Sequence, residues 1–256
     1  MATKKLAKEL GLLRQHNGKK KQEMDTQHSR SEKEKGQFFD YLIVIDFEST
    51  CWEDKGKAHL CQEIIEFPAV FLNLVTGDII EQFHTYIQPR EHPKLSDFCQ
   101  KLTGISQDQV DEGIPLPTCL GLFKQWLKNL VQKYHLVFHS NYTSSTNGCH
   151  CTFGTWTSWD LGVCLHSECK RKQLNKPAVL NSWIDLKITY RKFYSRTPNG
   201  LRGAIEDLGL CFEGREHSGI VDSMNTAKLA FKMAQDGCYL NITHSDTLVK
   251  NLSIAL

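Results

Sequence analysis

Five apolar residues, Tyr41 to Ile45, run without interruption into Asp46-Phe47-Glu48. An apolar run of that length reads as a buried strand, here over 41–47, and the acids mark where it surfaces. Further runs predict strands over Glu63 to Leu74 and Ile79 to Ile87, joined by a turn at Thr76-Gly77-Asp78. Leu95 to Leu102 reads as a short helix stopped by Gly104. Apolar positions Leu120, Phe123, Leu127, Leu130 and Val131 repeat at helical spacing behind Thr118, which predicts a helix with Thr118 as N-cap. Leu136 to Phe138 is a short strand, and residues 140 to 155, rich in Ser, Thr, Asn and Gly, read as a loop. Asp160 opens a helix, Val179 to Trp183 is a fifth strand, and helices follow over Asp185 to Phe193, Gly200 to Leu208 and Asp222 to Ala234. Early strands followed by alternating helices and strands predict an α/β domain, a mixed β-sheet flanked by helices on both faces.

The chain has 256 residues, 40% of them hydrophobic, enough for one large domain with a core of its own. We expect a disordered basic arm over 1–36, the domain over 37–240 and a short tail over 241–256. The arm carries Lys4, Lys5, Lys8 and Lys19-Lys20-Lys21 and no aromatic residue. That composition cannot bury a core, and a solvated tail is the simpler reading. Added phosphate affinity or a nuclear signal is the other. The net charge of +2 excludes a uniformly basic nucleic-acid binder.

No apolar segment follows the first lysines as a signal peptide requires, and no run reaches the ~20 apolar residues of a membrane span. The ten cysteines are scattered. The expectation is a reduced, intracellular protein, nuclear or cytoplasmic, with no membrane partner. Cys149-His150-Cys151, with Cys164 and Cys169 downstream, is a weak zinc pattern because Cys-x-Cys in a loop lacks the usual ligand spacing.

Side chains two apart on a strand share a face, so Asp46 and Glu48 project together and Phe47 points away. Paired carboxylates at a buried edge repel unless protons or cations neutralise them. Hard divalent cations suit carboxylate oxygens. A strand ending in solvated acids gives the same local pattern, so this pair alone does not decide. Two further segments do. Trp156-Thr157-Ser158-Trp159-Asp160 places an acid after two tryptophans, and His217-Ser218-Gly219-Ile220-Val221-Asp222 places a histidine five residues before another acid.

In their order, Asp46, Glu48, Asp160 and Asp222, with His217, resemble the DEDDh family of 3′→5′ exonucleases, and within it the ERI exoribonucleases. Ile45 to Trp52, Gln62 to Ala69, Leu102-Thr103-Gly104-Ile105, Trp159-Asp160 and Gly214 to Gly219 carry the resemblance, which runs from about Phe38 to Gly237. It departs from the family in one place: Val221 stands where such relatives usually carry an acid.

The resemblance implies a ribonuclease-H-like fold and two Mg²⁺ ions, with Mn²⁺ able to substitute. Asp46 bridges the ions, and Glu48, Asp160 and Asp222 complete the set. His217 is then the general base, and an imidazole ordinarily titrates near neutrality, as that task needs. The implied substrate is a nucleic acid, the 3′ end of single-stranded RNA. Thr103, Gly104, Phe47 and Trp159 are the implied substrate contacts, and Trp52 and Trp159 are candidates for stacking on bases. Each has a plain alternative: a helix stop at Thr103-Gly104, and core packing for Phe47 and the tryptophans. A DNA-directed exonuclease and a catalytically weak RNA-binding scaffold are the competing functions.

Overall fold

The computed structural model describes residues 36–54, 61–138 and 148–245. The expected basic arm up to residue 35, part of the expected loop, and the tail from 246 lie outside those residues.

The strands are β1 (Tyr41–Ile45), β2 (Glu48–Ser49), β3 (Ile64–Asn73), β4 (Ile79–Tyr86), β5 (Leu136–Phe138), β6 (Cys149–Thr155), β7 (Ser182–Asp185) and β8 (His244–Ser245). They form one mixed sheet in the order β2-β3-β1-β6-β7-β8, with β4 also on β3 and β5 also on β6. β3 runs antiparallel to β1, whereas β6 runs parallel to it, and β7 runs parallel to β6. β1 therefore lies in the middle of the sheet, and its end carries the first two acids.

The helices are α1 (Asp97–Thr103), α2 (Gln107–Asp111), α3 (Leu116–Tyr134), α4 (Leu165–Arg171), α5 (Leu186–Tyr194), α6 (Gly200–Asp207) and α7 (Gly219–Gln235). Strand alternation divides the core between them. Ile43 and Ile45 pack with Phe67, Phe71 and Phe153 under Leu120, Phe123, Leu127 and Leu130 of α3. Leu42 and Val44 face the other way, against Tyr190 of α5, Ile205 of α6 and Ala227, Ala230 and Met233 of α7. The sheet thus has helices on both faces, as the pattern predicts.

Three elements differ from the sequence reading. Residues 149–155, read as loop, are the strand β6. Its backbone groups are paired by β1 on one side and by β5 and β7 on the other, which offsets the weak strand preference of its small and polar residues. Helix α3 starts at Leu116 rather than behind Thr118. Pro115 stands at its N-cap and Pro117 in its first turn, where a missing N–H costs nothing. Residues Ala178–Asn181 are a 3₁₀ turn, and the strand follows at Ser182–Asp185. Helix α2, with a capping box between Ser106 and Gln109, and strand β8 within the expected tail were not foreseen.

Candidate active site

β1 ends at Ile45, the chain kinks through Asp46 and Phe47, and β2 begins at Glu48. Asp46 and Glu48 line one cleft of about 450 Å³ together with Asp160, Asp222 and His217. The walls add Phe47, Trp156, Thr157, Trp159, Leu201, Phe212 and Glu216. All five residues singled out for the chemistry are brought together from three distant parts of the chain.

Each is positioned by specific local structure. Asp160 lies in a π-helical turn, Trp159–Cys164, where the Leu165 N–H reaches back to its carbonyl. Such single-turn widenings are frequent at functional sites. Its Oδ1 accepts the Phe47 N–H at 2.8 Å, tying the turn to the end of β1. Asp185, at the end of β7, accepts both the N–H and the hydroxyl of Ser158 at 2.8 Å, which holds the Trp156–Trp159 segment in place. Asp222 stands in the first turn of α7 and accepts the His217 N–H at 2.9 Å through Oδ2. His217 adopts a left-handed backbone, φ 61°, in the tight turn before that helix.

The electrostatics are unfavourable for bare carboxylates. Burial, then the neighbouring Asp160 and Asp222, push Asp46 well above the usual carboxylate range. Burial and the nearby Glu66 push Glu48 up to about 9. Asp160 and Asp222 are each raised to about 7, chiefly by burial, with the Phe47 and His217 amides pulling the other way. One oxygen of Asp222, Oδ1, is buried and has no hydrogen-bond partner. A buried carboxylate oxygen without a donor is costly unless something positive meets it. Single donor atoms of Glu48, His217 and Asp222 lie within 4.8 Å of one another, close enough to share a cation. The donor set is mostly carboxylate oxygen, which matches a hard divalent ion.

Glu66 is a residue whose importance the reading by residue type missed. Its carboxylate, buried in β3 opposite Glu48, accepts the N–H groups of Gly219 at 2.9 Å and Ile220 at 3.1 Å, and contacts His84 Nε2 at 2.8 Å. It therefore locks the start of α7, and the Asp222 turn with it, onto the sheet. The available signal was an acid inside the apolar run Ile64 to Leu74, where a charge must find partners. Gly219 is the other half of this contact, since a Cβ there would meet the Asp46 carbonyl oxygen at 2.6 Å.

The expected substrate contacts divide. Trp159 lines the cleft and also packs against the core, and Phe47 does both, its ring 4.6 Å from that of Phe67. Thr103 is buried and its hydroxyl donates to the Cys99 carbonyl at 2.9 Å, so it offers no free hydroxyl to a ligand. Gly104 ends α1 and lies beside Arg215 rather than on the cleft. Trp52 sits in a separate recess with Glu53, Asp54, Ser96 and Phe98. Val221 has no acidic counterpart at its position; its methyl groups pack over Gly214, which shapes the turn leading to His217. Cys151, Cys164 and Cys169 are buried in β6, the π turn and α4, and no cysteine is part of a gathered ligand group among the described residues. No helix among the described residues is long and apolar enough to cross a membrane.

The chain is also similar to known proteins. The family model described as Exonuclease matches residues 43–230. ERI1 exoribonuclease 2 of Xenopus laevis is 55% identical over 96% of this chain and 35% of its own length, and that of Homo sapiens 54% over 99% and 37%. The chain thus spans about a third of the length of these relatives. The 3′-5′ exonuclease Snipper of Drosophila melanogaster is 44% identical over 84% of this chain and 76% of its own length. Among solved structures, the nuclease domain of 3′hExo, a DEDDh family member bound to rAMP, superposes with a TM-score of 0.73 at 35% identity. It covers 83% of this chain and all of that one, and it shares the ribonuclease-H-like fold. Enzymes of this DEDDh type generally depend on divalent metal. The chain belongs to the exonuclease family, in its DEDDh-type ERI exoribonuclease group.

Proposed function

We propose that this domain is a divalent-metal-dependent 3′→5′ exoribonuclease that releases nucleoside 5′-monophosphates from a free 3′-hydroxyl. The observation that carries the reading is the cleft in which four carboxylates and one imidazole converge, with a buried Asp222 oxygen left without a donor. The names of similar proteins, exoribonucleases among them, support the choice of RNA.

Asp46, Glu48, Asp160 and Asp222 would hold two Mg²⁺ ions, or Mn²⁺ in their place. Bound there, such ions supply Lewis-acid activation of water and charge stabilisation at the leaving oxygen. His217 takes the proton from the attacking water. Its N–H bond to Asp222 Oδ2 fixes the backbone of the turn that carries the imidazole. Attack at phosphorus breaks the bond to the 3′ oxygen of the preceding nucleotide and leaves the phosphate on the 5′ carbon of the released one. Phe47 and Trp159 bound the space for the terminal nucleoside. Gly104 acts on the site through Arg215 rather than by touching the substrate, and Thr103 acts by shaping the end of α1.

Purified protein incubated with single-stranded RNA tests the reading. Nucleotide release should stop in chelator and return with Mg²⁺ or Mn²⁺ but not with Zn²⁺, because the ligands are mostly oxygens. Full activity in excess chelator would overturn it.

A further inference from the structure

A second recess, of about 400 Å³, opens where α5 ends. It is lined by Ile188, Arg191, Lys192, Ser195, Arg196 and Thr197: three cations, two hydroxyls and no carboxylate. The three cations are exposed, and none of them is within ion-pair distance of an acid among the described residues. Several other surface cations are matched. Arg171 pairs with Glu91, Arg202 with Glu216, Lys228 with Glu213 and Lys232 with Asp236. Like charges gathered around a concavity raise a positive potential, which a bound anion relieves. Guanidinium forks, an ammonium and hydroxyls are the donors that phosphate oxygens accept.

The place of the recess narrows the anion. Thr197 lines it and Gly200 lines the acidic cleft, so three residues of chain span the two. Their Cα atoms are therefore no more than about 11 Å apart. The two surfaces also have opposite character. The cleft would repel a polyanion until it holds cations, whereas the recess attracts one without them.

We propose that this recess is a phosphate subsite for the RNA strand that feeds the cleft, taking a backbone phosphodiester a few nucleotides upstream of the 3′ end. The proposal rests on the exonuclease reading above for the identity of the strand. The subsite grips the substrate and takes no part in bond breaking.

The test uses the full chain and its variant R191Q/K192Q/R196Q, whose side chains are exposed; because the Arg196 guanidinium lies 5.3 Å over the Tyr194 ring, a thermal melt and the dinucleotide rate check that the fold is kept. Binding of a labelled single-stranded oligoribonucleotide is measured in chelator across a salt series. Hydrolysis of that oligomer and of a dinucleotide is measured with Mg²⁺. The variant should bind the oligomer about tenfold more weakly, with the salt slope shallower by about 1. Its KM for the oligomer should rise with kcat unchanged, while dinucleotide hydrolysis stays at the wild-type rate. Unchanged affinity and slope would overturn the proposal, as would an equal loss on both substrates, since a dinucleotide cannot reach an upstream subsite. A wild-type protein inactive on both substrates would sink the exonuclease reading instead, and the binding arm would still decide the subsite.

Discussion

Arg215 fills the space that a side chain on Gly104 would need. Its guanidinium donates to the Lys101 and Leu102 carbonyls, capping the end of α1. Gly104 permits this because it has no Cβ and because its φ of 77° turns the chain away from the helix. Arg215 lies two residues before His217, so the end of α1 and the turn carrying the imidazole are joined by one side chain.

Arg215→Ala is therefore expected to lower kcat by about 10- to 100-fold, because small displacements of a catalytic group are costly. The melting temperature should fall by no more than ~2–4 °C, since only exposed hydrogen bonds are lost. Gly104→Ala should lose a similar factor in kcat and more stability, from the strained φ. Single-turnover rates beside thermal melts check both. Full kcat in either variant would mean that the turn is held from elsewhere.

Asp46→Asn and Glu48→Gln each remove a carboxylate from the cleft without changing its shape. Either should cut turnover at least about 10²-fold while the protein stays folded. Circular dichroism and rate measurements on the same preparation check this. A variant that kept more than about a tenth of the wild-type rate would remove that residue from the ligand set.

The raised carboxylates make a signed statement about stability in chelator. Glu48 is pushed up to about 9, and Asp160 and Asp222 to about 7, by burial in one cleft. A carboxylate whose folded value lies above its unfolded value favours the fold fully below the unfolded value, near ~4, and loses that effect as pH rises through the folded value. The chelated protein should therefore lose melting temperature between about pH 5 and pH 9. Glu63 and Asp236 are shifted the other way: at Glu63 burial is outweighed by hydrogen bonds from Lys172 and three backbone amides, and Asp236 is lowered by Lys232 and Tyr194. Glu48→Gln should melt above wild type at pH 9, with the gap closing towards pH 4. Equal melting of the two proteins at pH 9 would contradict the electrostatic account of the cleft.

His217 sits near enough to Glu48 and Asp222 to share a cation with them, yet its proposed task is proton removal. His217→Asn keeps a residue that tolerates the left-handed backbone at this position. It should lose about 10²–10⁴-fold in rate while the melting shift on adding Mg²⁺ persists. Loss of that shift would make His217 a ligand.

The site was legible because its chemistry is carried by residue types at fixed spacing: Asp46-x-Glu48, Asp160 behind Trp159, and Asp222 five after His217. Periodicity gave β1, β3 and α7 for the same reason, since each buries an apolar face. What it could not give depends on neighbours distant in sequence. β6 reads Cys-His-Cys-Thr-Phe-Gly-Thr, and its strand form comes from pairing with β1, β5 and β7. Gly154 packs closely there, since Leu42 side-chain atoms lie 3.2–3.4 Å from where a Cβ would stand. Thr103 looked like a substrate contact, but its hydroxyl is already bonded within α1. The role of Glu66 appears only when the start of α7 is laid against β3.

The direction of attack is the central claim, and matched RNAs test it most directly: one with a free 3′-hydroxyl, one blocked at the 3′ end and one circular, each incubated with Mg²⁺. The free-ended RNA should yield nucleoside 5′-monophosphates and shorten progressively from its 3′ end, while the blocked and circular forms resist. Internal cutting of the circular RNA, abolished by Asp46→Asn, would place endonucleolytic chemistry in this same cleft and contradict the account.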